Sequence, residues 1–239
     1  MTANGVPKLT LQDLDERHPN KFEWKYEMRR EAQETLSGLY VGGFQPSWNF
    51  QTLQALGITH ILCIAEEREA HLFRARFPDS FTYRIEAIRD ADDQNLIRIF
   101  PESHAFIDSV LQNNGRVLVH CGDGISRSPA IVVSYIMCKT GLSLDEAFQF
   151  VQSRRFCIAP RVEFQHQIEA YYPIFQARQA VSANLAVQTA SASRRRGRDE
   201  HEDQDAAINN DRPVLIGLTD ADMVQRRPLP AWSQQGAFA

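Results

Sequence analysis

Cysteine is scarce in this 239-residue chain: Cys63, Cys121, Cys138 and Cys157 are the only four, and no two are closely spaced. That spacing excludes a zinc ribbon and a disulfide framework. His60, His104 and His166 are scattered without ligand spacing, so neither metal nor organic cofactor is expected. Long apolar runs are also missing. Ala130 to Met137 is far too short to cross a bilayer, and Met1 to Lys25 contains no apolar core of a signal peptide. Charge of one sign is not in excess, with 26 Lys and Arg against 30 Asp and Glu, a net charge of -4 and a pI near 6.0. Nothing global draws such a chain to nucleic acid or to a membrane, so any anion must be held by a local site. A reducing cytoplasmic setting is expected, where a reactive thiol survives.

What is present is enough apolar material, 43% of residues, for one sizeable core. Residues 1–23 are polar with weak structural signals and read as a flexible N-terminal segment. From Trp24 to Ala183 apolar segments alternate between strand and helix types. Leu39 to Val41, Ile58 to Ile64 and Arg116 to His120 read as strands, the last two launched from glycine turns. Phe100, His104, Ile107 and Leu111 recur at helical spacing in a helix expected to begin near Leu96. Ser143-Leu144-Asp145-Glu146 is a capping box opening another helix, and Glu163 to Arg178 is a further amphipathic candidate. This order predicts an α/β domain over residues 24–183, with a mostly parallel central sheet flanked by helices. Beyond it, an Arg-rich block (Arg194, Arg195, Arg196, Arg198) precedes an acidic one, and residues 184–239 read as a disordered tail. The arginine block is a weak nuclear-localisation signal.

The chemistry concentrates in His120-Cys121-Gly122-Asp123-Gly124-Ile125-Ser126-Arg127-Ser128, where a buried strand ends and a helix begins. A loop of short residues there turns successive N–H groups inward, and the helix N-terminus adds free donors and a positive dipole end. Gly122 and Gly124 are expected to permit the backbone angles of this cradle. The arrangement suits a phosphate dianion. Cys121 stands at its mouth, where the loop amides, the helix dipole and Arg127 all favour the thiolate. His120 supports the loop through hydrogen bonds rather than charge. Arg127, six residues after Cys121, supplies a planar fork for phosphoryl oxygens. A structural cysteine beside a glycine turn explains one of these residues but not all of them together at this spacing.

Cys121 to Arg127 resembles the Cys-x5-Arg loop of the protein tyrosine phosphatase superfamily, and Ser126-Arg127-Ser128-Pro129 resembles its dual-specificity branch. Through Met28-Arg29-Arg30-Glu31, Gly57-Ile58-Thr59-His60-Ile61 and Arg154-Arg155-Phe156-Cys157-Ile158 the chain is similar above all to the serine/threonine/tyrosine-interacting (STYX) pseudophosphatases. Those relatives have lost the nucleophilic cysteine, whereas Cys121 is retained here. The resemblance implies a protein phosphatase acting through a cysteinyl-phosphate. Cys121 would be the nucleophile, Arg127 and the amides of Gly122, Asp123, Gly124, Ile125 and Ser126 the phosphate site, and Ser128 a hydrogen-bond donor to the departing thiolate. It also implies an aspartate general acid, which counting places at Asp90, 31 residues upstream of Cys121; Asp92 and Asp93 compete for the role.

Two features depart from the pattern. Relatives commonly carry Pro-Asn after the helix that follows the loop, the Asn bracing it, where this chain has Pro160-Arg161. Asp123 places a negative charge beside the cradle, which disfavours polyanionic lipid or RNA substrates and leaves phosphotyrosine and phosphoserine/threonine on proteins. The alternative reading is a phosphoprotein-binding adaptor with little turnover, for which the resemblance implies mitogen-activated protein kinases or F-box proteins as partners. Cys138 and Cys157 are alternative resolving partners for Cys121, although core packing is the expectation for both, as for Cys63.

Overall fold

A computed structural model of the chain describes residues 9–20, 23–69 and 71–199, with side chains to Asn184. Five strands form one sheet: β1 (Gln33–Leu36), β2 (Leu39–Gly42), β3 (His60–Ala65), β4 (Thr82–Ala87) and β5 (Val117–His120). Their order is β1-β2-β5-β3-β4, with β1 antiparallel to β2 and the other pairs parallel. The expected mostly parallel α/β architecture is what forms. β5 is central and buried along its whole length, which is why its sequence is continuously apolar rather than alternating. Its residues divide between the two faces. Val117 and Val119 join the main core, while Leu118 packs with Tyr40, Leu53, Ile58, Ile61 and Phe81 on the other side.

The helices are α1 (Leu11–Arg17), α2 (Phe44–Ser47), α3 (Phe50–Ala55), α4 (Phe100–Gln112), α5 (Arg127–Thr140), α6 (Leu144–Arg154) and α7 (Val162–Asp199). α5 runs through the main core, and every residue from Arg127 to Cys138 is buried. Each of its large apolar side chains contributes about 1.5–3 kcal/mol by that burial. It ends at Gly141, whose φ of 73° gives the left-handed cap that a Cβ would strain. α6 opens with the Ser143/Glu146 capping box read from sequence.

Several boundaries differ from expectation. The polar segment before Trp24 contains α1, capped by a Thr10/Asp13 box and seated by the buried Leu14, with Asp15 paired to Arg154 at 2.9 Å. The helix expected near Leu96 begins at Phe100, because Pro101 suits only a first turn. α7 continues past Arg178 to Asp199, tolerating Pro173 and drawing on Ala, Gln and Arg, which favour helix without an apolar face. Residues 200–239, the remainder of the expected tail, lie outside the described residues. β1 and β4 carry no clear strand signal because they are edge strands. Only Ile85 of β4 is buried.

The parallel register sets the site. Gly42 of β2 and Cys63 of β3 both lie opposite His120, the last residue of β5. Cys121 therefore emerges at the carboxyl edge of the sheet, between the ends of its two neighbours, where open α/β sheets form their binding crevices.

Candidate active site

Cys121 is 1% exposed and is surrounded by donors. The Gly124 N–H donates to its Sγ at 3.3 Å, and the Ser128 hydroxyl lies 3.3 Å from the same sulfur. That hydroxyl is also 3.3 Å from the Gly42 carbonyl, so its single proton serves one acceptor at a time. Gly124 is indispensable here. Its φ is 72°, and a Cβ would sit 2.4 Å from the Gly42 carbonyl carbon, inside the backbone of β2. Gly122 is not required in that way: its φ is not left-handed, and a Cβ would meet Arg127 Nη2 at an ordinary 3.4 Å. The expectation for the two glycines thus holds for one of them.

α5 begins at Arg127 immediately behind the loop, so its first amides face the cradle, and Pro129 in that first turn lacks an N–H that would have no helical partner. The Ile125 N–H is engaged otherwise. It donates to Asp123 Oδ1 at 2.9 Å, a carboxylate that also lies 3.9 Å from Cys121 Sγ. One amide of the expected phosphate cradle is therefore capped by the loop's own acidic residue. His120 is buried, and desolvation pushes its imidazole down to about 4 despite a raising contact between Nδ1 and the Cys121 carbonyl at 3.3 Å. It is neutral at pH 7, in line with support through hydrogen bonding.

Arg127 is held by residues far away in sequence. Nη1 donates to Glu69 Oε2 at 2.6 Å and to the Ile88 carbonyl at 3.3 Å, and Nη2 donates to Glu69 Oε1 at 3.2 Å. Its Nε is buried and has no partner among the described residues. Both Nη atoms are thus anchored, while the Nε hydrogen is left without a partner among the described residues. Burial alone would raise the Glu69 carboxyl. Hydrogen bonds from Arg127 and the Glu66 amide outweigh it and hold the group below the usual carboxylate range.

The acidic loop after β4 faces the same mouth. Asp90 accepts a hydrogen bond from the Ser126 hydroxyl on Oδ1 at 2.9 Å, while its N–H donates to Glu66 Oε1 at 3.1 Å. Asp92 pairs with Arg161, and Asp93 pairs with Arg89 in solvent at 71% exposure. Of the three candidate acids, Asp90 is the one bonded to the phosphate loop.

The brace expected from asparagine is supplied by other groups. Arg155 is fully buried, with all five guanidinium donors used. They reach the carbonyls of Gly124 (2.9 Å), Asp123 (3.0 Å), Arg29 (2.9 Å) and Glu31 (3.0 Å) and the Gln33 side chain. The Ala159 N–H donates to the Ile125 carbonyl at 2.8 Å. Together these hold the outer rim of the loop. Nothing in the sequence marks Glu69 or Arg155 for these roles, since their partners lie 58 and 31 positions away.

The other cysteines are free. Cys138 sits near the far end of α5, about 16 Å along the helix from Arg127 at 1.5 Å per residue, too far to bridge to Cys121. Burial pushes its thiol up to about 12. Cys63 is buried in β3, as core packing requires. Among the described residues no cluster of metal-ligating side chains occurs, and no helix is long and apolar enough to cross a membrane.

Residues 39–174 match the family of dual specificity phosphatase catalytic domains. The chain is 43% identical over 173 residues to the serine/threonine/tyrosine-interacting protein of Mus musculus, covering 72% of this chain and 78% of that one. It is 40% identical over 133 residues to dual specificity protein phosphatase 1 of Arabidopsis thaliana, covering 55% and 64%. The crystal structure of the human tyrosine phosphatase-like serine/threonine/tyrosine-interacting protein superposes with a TM-score of 0.60 at 44% identity, covering 62% of this chain and 99% of that one. With a matching domain wrapped around a Cys-x5-Arg loop on a strand-loop-helix, this chain belongs to the dual-specificity phosphatase family.

Proposed function

We propose that the chain is an active cysteine-dependent phosphatase that hydrolyses phosphotyrosine, and phosphoserine or phosphothreonine, on proteins. One observation carries the reading: Cys121 Sγ lies under two donors at 3.3 Å, and Arg127, six residues on, is buried with an Nε that has no partner among the described residues. An oxyanion entering there meets both a nucleophile and a charge-assisted donor. Cys121 attacks phosphorus while Asp90 gives its proton to the leaving oxygen. The cysteinyl-phosphate is then hydrolysed by water, which Asp90 deprotonates, and Ser128 donates to the departing sulfur. Arg127 Nε and the free loop amides bind the equatorial oxygens, whose charge is spread in the transition state. Asp123 at the rim repels a second phosphate, which favours protein monoesters over polyanionic lipids or RNA ends.

A second reading, a phosphoprotein-binding adaptor of kinase or F-box complexes with little turnover, draws support from the 43% identity to serine/threonine/tyrosine-interacting proteins. A cytoplasmic or nuclear setting is part of both readings. Rapid-quench kinetics with an aryl phosphate separate them. A burst with phosphate trapped on the wild-type protein, absent in Cys121→Ser, supports the enzyme. A folded protein that binds phosphopeptides without a burst supports the adaptor.

A further inference from the structure

We infer that Arg161 is the positioning residue for the general acid, and that the proton it prepares for transfer rides on Asp90 Oδ2. The inference rests on the phosphatase reading and adds to it a residue and an atom. Arg161 makes no hydrogen bond to the phosphate loop among the described residues. Its Nε instead lies 3.0 Å from both the Asp90 carbonyl and Asp90 Oδ1, and Nη1 reaches Asp92 Oδ1 at 2.5 Å. One guanidinium therefore grips backbone and side chain of the acidic loop together. Arg161 is itself held in place, because Pro160 before it has a fixed φ and the Ala159 N–H is bonded to the Ile125 carbonyl at 2.8 Å.

The two donors to the carboxylate converge on a single oxygen. Ser126 Oγ, at 2.9 Å, and Arg161 Nε both donate to Oδ1. Arg161 Nε cannot accept a hydrogen bond, so a proton on Oδ1 would face it without a partner, and the acidic proton is favoured on Oδ2. Oδ2 has no partner among the described residues, and the side chain is 34% exposed at the mouth. A carboxyl fixed on one oxygen and free on the other is restricted to one presentation of its proton, which converts a search over rotamers into a prepared encounter.

Other bonds hold the loop's backbone without Arg161. The Asp90 N–H is on Glu66, and Gln167 of α7 donates to the Gln94 carbonyl at 2.9 Å and accepts from the Leu96 N–H at 2.6 Å. Arg161 is also half-exposed. Arg161→Ala is therefore expected to fold, keep the loop near its place and release the carboxylate.

The test compares wild type, Arg161→Ala, Asp90→Asn and the double variant on two substrates. Difluoromethylumbelliferyl phosphate has a leaving group that departs without a proton, whereas phenyl phosphate requires one. Arg161→Ala should lower kcat/KM, which reports the leaving-group step alone, on phenyl phosphate by about tenfold, a part of what the acid itself supplies, and on the activated ester by less than about twofold. In the Asp90→Asn background it should add nothing on either substrate. Equal losses on both substrates, or an additive loss in the double variant, would overturn the inference. Amide hydrogen exchange supplies a readout independent of turnover: residues 91–93 should exchange faster in Arg161→Ala while 89–90 and 94–96 stay protected. Unchanged exchange overturns the tether. If wild type shows no turnover but exchange responds as expected, the phosphatase reading fails and the tether remains.

Discussion

Glu69 meets Arg127 fork to fork, with Oε2 2.6 Å from Nη1 and Oε1 3.2 Å from Nη2. The pair anchors both Nη atoms of a guanidinium whose buried Nε has no partner among the described residues. Glu69 Oε2 also accepts the Glu66 amide at 2.8 Å, and Glu66 in turn accepts the Asp90 amide. Arg127 and the loop that carries Asp90 thus share one chain of hydrogen bonds.

Glu69→Gln is expected to weaken binding of orthovanadate by about tenfold and to lower kcat, because an amide matches only part of the fork. Competitive inhibition with an aryl phosphate substrate measures both. The folded carboxyl binds its proton more weakly than the unfolded one, so the contribution of this pair is present above the ordinary carboxylate pKa of about 4.3 and fades as pH falls below it. Unchanged vanadate affinity would remove Glu69 from the phosphate site.

Asp123→Ala is expected to act in the opposite direction. It frees the Ile125 N–H, now bonded to Asp123 Oδ1, and removes a charge 3.9 Å from the nucleophilic sulfur. Vanadate should bind about tenfold more tightly, the lower end of what one hydrogen bond to an anion is worth. Substrates with two adjacent phosphates should gain more than monoesters. Weaker vanadate binding would mean that the turn made by Asp123 is needed to shape the cradle.

Arg155→Met should be costly for folding as well as turnover. It leaves the carbonyls of Asp123, Gly124, Arg29 and Glu31 without their shared donor in a buried site, a loss of about 3–5 kcal/mol. Urea unfolding measures it directly. Arg155→Lys should recover little, since three donors on one nitrogen cannot span acceptors on both sides of a planar fork. A variant of wild-type stability would show that solvent satisfies these carbonyls.

Acid should destabilise the fold through two buried histidines. Burial pushes His104 down to about 3, with Lys139 adding to it, and His120 down to about 4. Both bind protons more weakly folded than unfolded. Their contribution is full above the unfolded pKa of about 6.5 and is lost as pH falls toward 4 and 3, on the order of 3 kcal/mol for His120 and 5 kcal/mol for His104 at the limit. His104 packs against Phe100, Tyr135 and Tyr171, and neither ring nitrogen has a partner among the described residues. Denaturant unfolding between pH 7 and pH 5 should therefore show a shallower pH slope for His104→Phe than for wild type. An identical slope would exclude His104 from the acid response.

Some of this molecule was open to a reading of residues alone. The continuous apolar run of β5, the short-residue loop and the apolar helix after it are local in sequence, so backbone sterics and burial on both faces specify them without outside help. The Ser143/Glu146 box is local in the same sense. Asp90 is reachable through family resemblance alone, whereas the hydrogen bond from the Ser126 hydroxyl that distinguishes it from Asp92 and Asp93 spans 36 positions and is visible only in the fold. The edge strands β1 and β4 stayed hidden because a strand with one free edge needs little of the apolar pattern that marks a central one.

The sequence by itself determined the Cys-x5-Arg loop and the strand-loop-helix that presents it, because spacing within nine consecutive residues creates that geometry. Only the tertiary structure decided what holds Arg127, the loop and Asp90 in register. Glu69, Arg155 and Arg161 reach their partners across 58, 31 and 71 positions of chain. Which charged side chains meet at such separations depends on the packing of sheet and helices, and no periodicity or local propensity encodes it.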